Sequence, residues 1–342
     1  MLALLVFLIG IALVFDFLNG RNDAANSIAT IVSTRVLAPR YAVAWAAFFN
    51  FIAFLVFGLH VASTVGRGII SPEAISDQVV FGALIGAISW NLAAGYLGIP
   101  TSSSHALIGG LIGAGVAHIG FGAIVWGGVG KTVAAIALSP ITGLFIALLL
   151  MLGVSWAFVR VSPTRADGVF RRVQFVSASL YSLGHGGNDA QKTMGVIAAL
   201  LAAHGQLPGT FHIPLWVVVT CNGAMALGTL FGGWKIVRTM GSRITRLSPM
   251  QGVCAETAGS ITLFMATSLG IPVSTTQTIT GAIVGVGAAK RTSAVRWGVA
   301  QEILIAWVIT MPCSGCSRRA VLSASGASHR VFGVAIGCVC CE

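Results

Sequence analysis

The sequence predicts an all-α integral membrane protein, with about 10–12 transmembrane or discontinuous helices in two inverted-topology repeats. Three observations carry this expectation. Of 342 residues, 56% are hydrophobic and 8% charged, and the mean hydropathy is +0.91. An ordinary soluble domain carries about 25% charged residues, so this chain lacks the polar groups to cover its own surface and the bilayer must serve as solvent. The apolar residues fall in long runs, and the polar interruptions of those runs occur in matching pairs.

A spanning helix needs about 20 apolar residues. Candidate segments are 2–19, 22–33, 41–62, 79–97, 103–119, 126–159, 173–203, 214–233, 250–269, 272–289 and 297–312. The start lacks a basic leading region and a small-residue cleavage site, so it is expected to be a retained first helix. The 43 glycines are scattered through this apolar background, where small residues let helices approach closely. The net charge of +11 comes from 20 basic against nine acidic residues, and the basic ones cluster in short gaps such as Arg160–Arg172 and Lys235–Arg246. That is the pattern of cytoplasmic membrane loops. No basic stripe carries interleaved aromatics, which excludes a nucleic-acid partner.

The paired interruptions define the organisation. Asn19-Gly20-Arg21-Asn22-Asp23-Ala24 matches His185-Gly186-Gly187-Asn188-Asp189-Ala190, at an offset of 188 − 22 = 166. Gly98-Ile99-Pro100-Thr101-Ser102-Ser103-Ser104-His105 matches Gly270-Ile271-Pro272-Val273-Ser274-Thr275-Thr276-Gln277, at 272 − 100 = 172. A glycine-rich stretch follows each Pro motif. The chain is therefore expected to comprise a first membrane repeat (1–159), a basic cytoplasmic linker (160–172), a second membrane repeat (173–312) and an atypical tail (313–342). The loop after 41–62 is mixed in charge, whereas the loop after 214–233 carries four basic residues, so equivalent loops are expected on opposite sides and the repeats inverted, with two parallel repeats as the alternative. All four interruptions are expected to break helices around one internal cavity, because irregular backbone at membrane depth survives only in protein or beside water.

The polar residues of these motifs point to chemistry. A charge at a helix centre costs on the order of 2.5–3.5 kcal/mol by insertion scales, so intramembrane acids normally face the interior and act. Asp23 and Asp189 each follow an Asn at the same place in their repeat, and Glu256 lies one helix before the second Pro motif. The bland alternative for the aspartates is helix capping. Asp16 and Glu302 lie nearer segment ends, within reach of the interface. Ser102, Ser103 and Ser104 follow one Pro, and Ser274, Thr275 and Thr276 the other, so a helix is expected to start at each cluster. Two helix N-termini facing each other would form an anion pocket of amides and hydroxyls, suited to a tetrahedral oxyanion. Oxygen-rich carboxylate sites beside it suit a proton or a hard cation such as Na⁺, which would screen the acids from the anion. Arg21 offers a planar fork of donors to that anion, and His185 a proton acceptor or donor.

At these residues the sequence resembles the inorganic phosphate transporter family, often called PiT or PHO4, of the bacterial low-affinity type. The resemblance covers residues 1 to about 312 and rests on Gly20-Arg21-Asn22-Asp23-Ala24-Ala25-Asn26, Gly186-Gly187-Asn188-Asp189-Ala190 and the two Ile-Pro-Ser/Thr segments. It implies an inverted-repeat helical bundle in the cell inner (plasma) membrane that takes up phosphate by symport with H⁺ or Na⁺, in some members as a metal–phosphate complex. It implies no cofactor, no metal beyond Na⁺, and no enzymatic activity; phosphate, the coupling cation and the bilayer are the partners, with homo-oligomerisation open. By position it makes Ser102, Ser103, Ser104, Ser274, Thr275 and Thr276 the phosphate cradle, Asp23, Asp189, Asn22 and Asn188 coupling or substrate residues, and matches Glu256 to an acid of the family's second repeat. Our own reading of the residues puts Asn22, Asn188 and Arg21 with phosphate, and Asp23, Asp189, Glu256, Asn26 and His185 with the coupling ion.

Two departures stand out. Where Na⁺-coupled members carry a first-repeat Glu matching Glu256, this chain has Asn50, which leans towards H⁺ coupling. After Met311-Pro312 the apolar run breaks up into a Cys- and Arg-containing tail, which we expect to reflect a coding discontinuity. A Cys metal site there lacks the spacing of zinc motifs. Alternatives are a channel, a carrier of another tetrahedral anion such as sulfate, and a membrane hydrolase built on Ser104-His105. Adjacent residues on one helix point about 100° apart, which disfavours a nucleophile–base pair.

Overall fold

The structure is a computed structural model, described over residues 2–207 and 211–324. Twelve α-helices are present among these residues. The first half contains α1 (Leu2–Ser33), α2 (Pro39–Ile52), α3 (His60–Gly68), α4 (Asp77–Leu97), α5 (Ser103–Ile119) and α6 (Trp126–Ala157). The second contains α7 (Pro163–Ala203), α8 (Leu215–Phe231), α9 (Trp234–Arg238), α10 (Pro249–Ser268), α11 (Thr275–Lys290) and α12 (Trp297–Ala324). Five helices are individually long and apolar enough to span a membrane. The pairs α2–α3 and α8–α9 bend by 80° and 65°, and counting each as one span gives up to seven. The expected segment 41–62 runs across the first bend into α3, and 214–233 ends at the second bend with α9 beyond it.

Two of the four expected breaks are real. Gly98 and Gly270 adopt left-handed backbone (φ 71° and 68°), which ends the preceding helix without steric cost. The chain then runs extended through the Pro motif until Ser102 and Ser274 cap α5 and α11, accepting from His105 N (3.2 Å) and Gln277 N (3.3 Å). The same two-part device, glycine stop and serine start, appears at the same place in each half.

The other two breaks are absent. Both α1 and α7 pass unbroken through Gly20–Asp23 and Gly186–Asp189. The glycines there mark close crossings instead: a Cβ on Gly20 would meet Met225 O on α8 at 2.1 Å, and one on Gly186 would meet Asn50 O on α2 at 2.5 Å. Contact of this kind offsets the cost of about 1 kcal/mol for glycine inside a helix. The polar side chains find partners on neighbouring helices, so the backbone need not unwind to satisfy them. On α1, Asp16, Asn19, Asp23, Asn26 and Thr30 recur every three or four residues and form one buried polar stripe.

The basic stretch 160–172 is also more ordered than a linker. Pro163 opens α7, so Arg165, Arg171 and Arg172 lie in helix, and Arg171 pairs with Asp167 one turn away at 2.6 Å. The tail likewise departs from expectation: α12 continues through Pro312 to Ala324 instead of stopping at residue 312. The terminal cysteines Cys338, Cys340 and Cys341 lie outside the described residues.

The halves interlock. Gly109 and Gly113 of α5 receive Met311 and Gly315 of α12, with a Cβ on each glycine falling 2.5 Å from the facing carbonyl oxygen. Gly281 and Gly285 of α11 receive Pro140 and Leu144 of α6 at 2.1 and 2.4 Å. Positions 109 and 281, 113 and 285, and the helix prolines 140 and 312 all share the 172 offset. Each Pro-motif helix is therefore seated on the Pro-containing helix of the other half. With α1 against α8 and α7 against α2, this exchange leaves the starts of α5 and α11 beside the middles of α1 and α7.

Candidate substrate and cation site

The site grows from the four elements just placed. Asp23 on α1 accepts from Ser103 Oγ (2.8 Å, α5) and Thr276 Oγ1 (3.3 Å, α11). Asp189 on α7 accepts from Thr275 Oγ1 (2.8 Å, α11). Ser103 and Thr275 are equivalent by the Pro-motif offset, and Asp23 and Asp189 by the Asn-Asp offset, so one hydrogen bond is made twice. Asn26 Nδ2 donates to Thr276 Oγ1 (2.9 Å) and Thr275 Oγ1 (3.3 Å). Ser104 Oγ reaches the carbonyl of Val273 across the two starts (3.2 Å).

His185 lies one turn before Asp189, its Nε2 3.2 Å from Asp189 Oδ2 and its Nδ1 3.2 Å from both Ser27 Oγ and Asn50 Oδ1. Ligand atoms of Asp23, His185 and Asp189 lie within 4.8 Å of one another, close enough to hold one cation. All three side chains are buried. Lys192, one turn beyond Asp189, donates to Asp189 Oδ1, Ser104 Oγ and Val273 O. Its nearness to the motif is plain in the sequence; its central position is not. The missed signal is the 166 offset, which aligns Lys192 with Asn26, already a candidate.

Other candidates stand elsewhere. Arg21 is exposed and does not face the site. It stands two positions before Asp23, a rotation of about 200° that turns it to the opposite side of α1. Asn22 and Asn188 are buried braces rather than liners. Asn22 Nδ2 donates to Asn91 O (2.7 Å), while Asn188 donates to Thr267 Oγ1 (3.0 Å) and accepts from Val273 N (3.3 Å), which fixes the extended strand before α11. Ser102 and Ser274 spend their oxygens on caps.

Glu256 makes a separate buried cluster, accepting from Gln174 Nε2 (2.9 Å) and Ser177 Oγ (2.5 Å), which lie on α7 about two to three turns before His185. It sits on α10 and Asn50 on α2; at the 172 offset Glu256 aligns with Leu84 and Asn50 with Asn222, so the two are not partners in the repeat. Glu302 is exposed, but Asp16 is fully buried and neither of its oxygens has a hydrogen-bond partner among the described residues. A cavity of about 560 Å³, lined by Thr64, Arg67, Lys131, Gly270 and Pro272, opens onto the backbone of the second Pro motif.

Apolar helices that bury two aspartates, a lysine and two hydroxyl-rich helix starts define a membrane transport protein. The chain belongs to the PHO4 family, described as the phosphate transporter family, which matches residues 19–317. A probable low-affinity inorganic phosphate transporter of Rhizobium meliloti (strain 1021) is 69% identical over 311 residues, covering 91% of this chain and 93% of that protein. One of Bacillus subtilis (strain 168), with the same description, is 43% identical over 316 residues, covering 92% and 95%. Among solved structures, "The sodium-dependent phosphate transporter" superposes with a TM-score of 0.85 at 26% identity, over 94% of this chain and 99% of that one. The chain is thus a multi-pass membrane protein of a transporter family, not an enzyme.

Proposed function

We propose that this protein imports inorganic phosphate across the cell inner membrane by symport with H⁺ or Na⁺. The observation that carries the reading is the repeated bond, Ser103 to Asp23 and Thr275 to Asp189, which ties the hydroxyls at two helix starts to two buried acids. A hydroxyl has a single proton to donate. While Ser103 and Thr276 donate to the Asp23 carboxylate, they are not free to donate to phosphate. A proton or Na⁺ on Asp23 releases them, and the amides of α5 and α11 with their positive dipole ends then complete an anion cradle. Phosphate in turn lowers the cost of holding a cation at Asp23. This reciprocity is the coupling free energy of a symporter.

In this reading Ser103, Ser104, Thr275 and Thr276 contact phosphate, while Ser102, Ser274, Asn22 and Asn188 position the backbone that does so. Asp23, Asn26 and His185 serve the mobile cation, and the Asp23–His185–Asp189 trio also suits a divalent metal accompanying phosphate. Glu256 is a second cation station along the same helices. The 172 offset at the exchanged helices supports two repeats, with loop charge favouring their inversion.

The test is uptake of radiolabelled phosphate into liposomes under an inward Na⁺ gradient, an inward H⁺ gradient, or neither. Accumulation under one gradient, lost in Asp23→Asn, supports symport and names the ion. Uptake of sulfate in preference to phosphate would overturn the substrate, and equal uptake without any gradient would overturn the coupling.

A further inference from the structure

Among the described residues Lys192 is the buried lysine, with a side chain 3% exposed. A lysine on a buried helix face is costly unless its charge is used. An ordinary salt bridge within one helix would join Lys192 to Asp189 alone. Here the ammonium is instead surrounded by oxygens from three elements: the Asp189 carboxylate on α7, Ser104 Oγ on α5 and the Val273 carbonyl before α11. A carboxylate, a hydroxyl and a broken-helix carbonyl are the ligand types that hold a hard cation.

The other half supplies the comparison. The residue aligned with Lys192 is the neutral Asn26, since 192 − 166 = 26. Two of the three oxygen sources recur beside it: Thr276, equivalent to Ser104, accepts from Asn26 Nδ2 and donates to the Asp23 carboxylate, which is equivalent to Asp189. No ammonium enters that half, and Asn26 Oδ1 has no hydrogen-bond partner among the described residues. One half therefore carries a cation on a tether, and the other carries the oxygens for one without it.

We propose that the Lys192 ammonium is a permanent, tethered substitute for a mobile coupling cation, so that a mobile H⁺ or Na⁺ binds at the Asp23–Asn26 half and none at the Asp189 half. The inference rests on the symport reading for its meaning, but concerns a quantity measurable without transport. It makes Lys192 a determinant of coupling stoichiometry. The charge stays in place throughout the cycle, screening Asp189 from phosphate without cost to the ion gradient.

The experiment counts cations bound by the purified full-length chain. One arm uses radiolabelled Na⁺ at equilibrium, and the other measures protons taken up on acidification with an indicator dye. Lys192→Asn, which copies the opposite half, is expected to bind one more cation per chain than wild type, while Lys192→Arg keeps the wild-type number. The reverse exchange, Asn26→Lys, is expected to lose the mobile cation, and it stands as an independent test should Lys192→Asn fail to fold. An unchanged count in Lys192→Asn, or wild-type cation binding in Asn26→Lys, overturns the proposal. Absence of phosphate uptake by the wild-type protein would instead sink the symport reading and leave the count to stand or fall separately.

Discussion

Gly20→Ala separates the role of α1 as scaffold from its role as carrier of Asp23. The added Cβ would stand 2.1 Å from the Met225 carbonyl oxygen, where ordinary contact begins at 3.4 Å, so α1 and α8 must part by 3.4 − 2.1 = 1.3 Å. The obstacle is backbone on both helices and cannot rotate away. Overpacking of this kind typically costs about 1–3 kcal/mol. The consequence for function is larger, because Asp23 lies one turn further on and is held to Ser103 Oγ at 2.8 Å. Displacing it by the same amount along that bond gives a separation of about 4 Å, outside hydrogen-bonding range. A misplacement of about 1 Å in a reacting site can lower rates by about a hundredfold, and we expect phosphate uptake to fall by ten- to a hundredfold. Gly10→Ala is the control on the same helix, since its Cβ meets nothing within 4 Å. That change should leave uptake intact and stability equal or slightly raised. Uptake into liposomes, paired with unfolding in a denaturing detergent, distinguishes the two effects. Wild-type uptake and stability in Gly20→Ala would refute the argument that this crossing sets the position of Asp23.

Removing Asp189 while leaving Lys192 strands a buried ammonium, so Asp189→Asn should destabilise by about 3–5 kcal/mol, whereas Asp16→Asn, whose carboxylate has no hydrogen-bond partner among the described residues, should be neutral or stabilising; detergent unfolding compares them. Ser103→Ala and Thr275→Ala remove equivalent donors and should weaken phosphate uptake by similar factors, each about tenfold, in a concentration series. Lys131→Gln in the cavity beside Pro272 should raise the KM for phosphate and reduce its sensitivity to ionic strength, with maximal uptake little changed.

Much of the site can be read from the chain because duplication turns weak local signals into paired ones. A single Pro-Ser-Ser-Ser run is an ordinary helix start, and a single buried Asp has several explanations. Repetition at fixed offsets places Ser103 with Thr275 and Asp23 with Asp189, and the fold brings all four together. Continuity of α1 and α7 was not legible, because glycine beside polar residues signals a helix break and a close helix crossing equally well. The difference lies in Met225 and Asn50, which are distant in sequence. Arg21 was misplaced for a different reason: a motif identifies neighbours in sequence, but helical phase decides which of them face inward.

The membrane class, the pairing of the motifs and the starts of α5 and α11 are legible in the chain alone. These follow from composition, repetition and the intrinsic geometry of Gly, Pro and Ser, all of which act within a few residues. Helix packing alone sets α5 on α12 and α11 on α6, brings Lys192 into the centre with Asn26 in the other half, and leaves Glu256 apart. Those outcomes depend on which helices approach closely and on where long side chains find oxygen partners. Such contacts join residues up to about 250 positions apart, as Asn26 and Thr276 show, and no local preference encodes them.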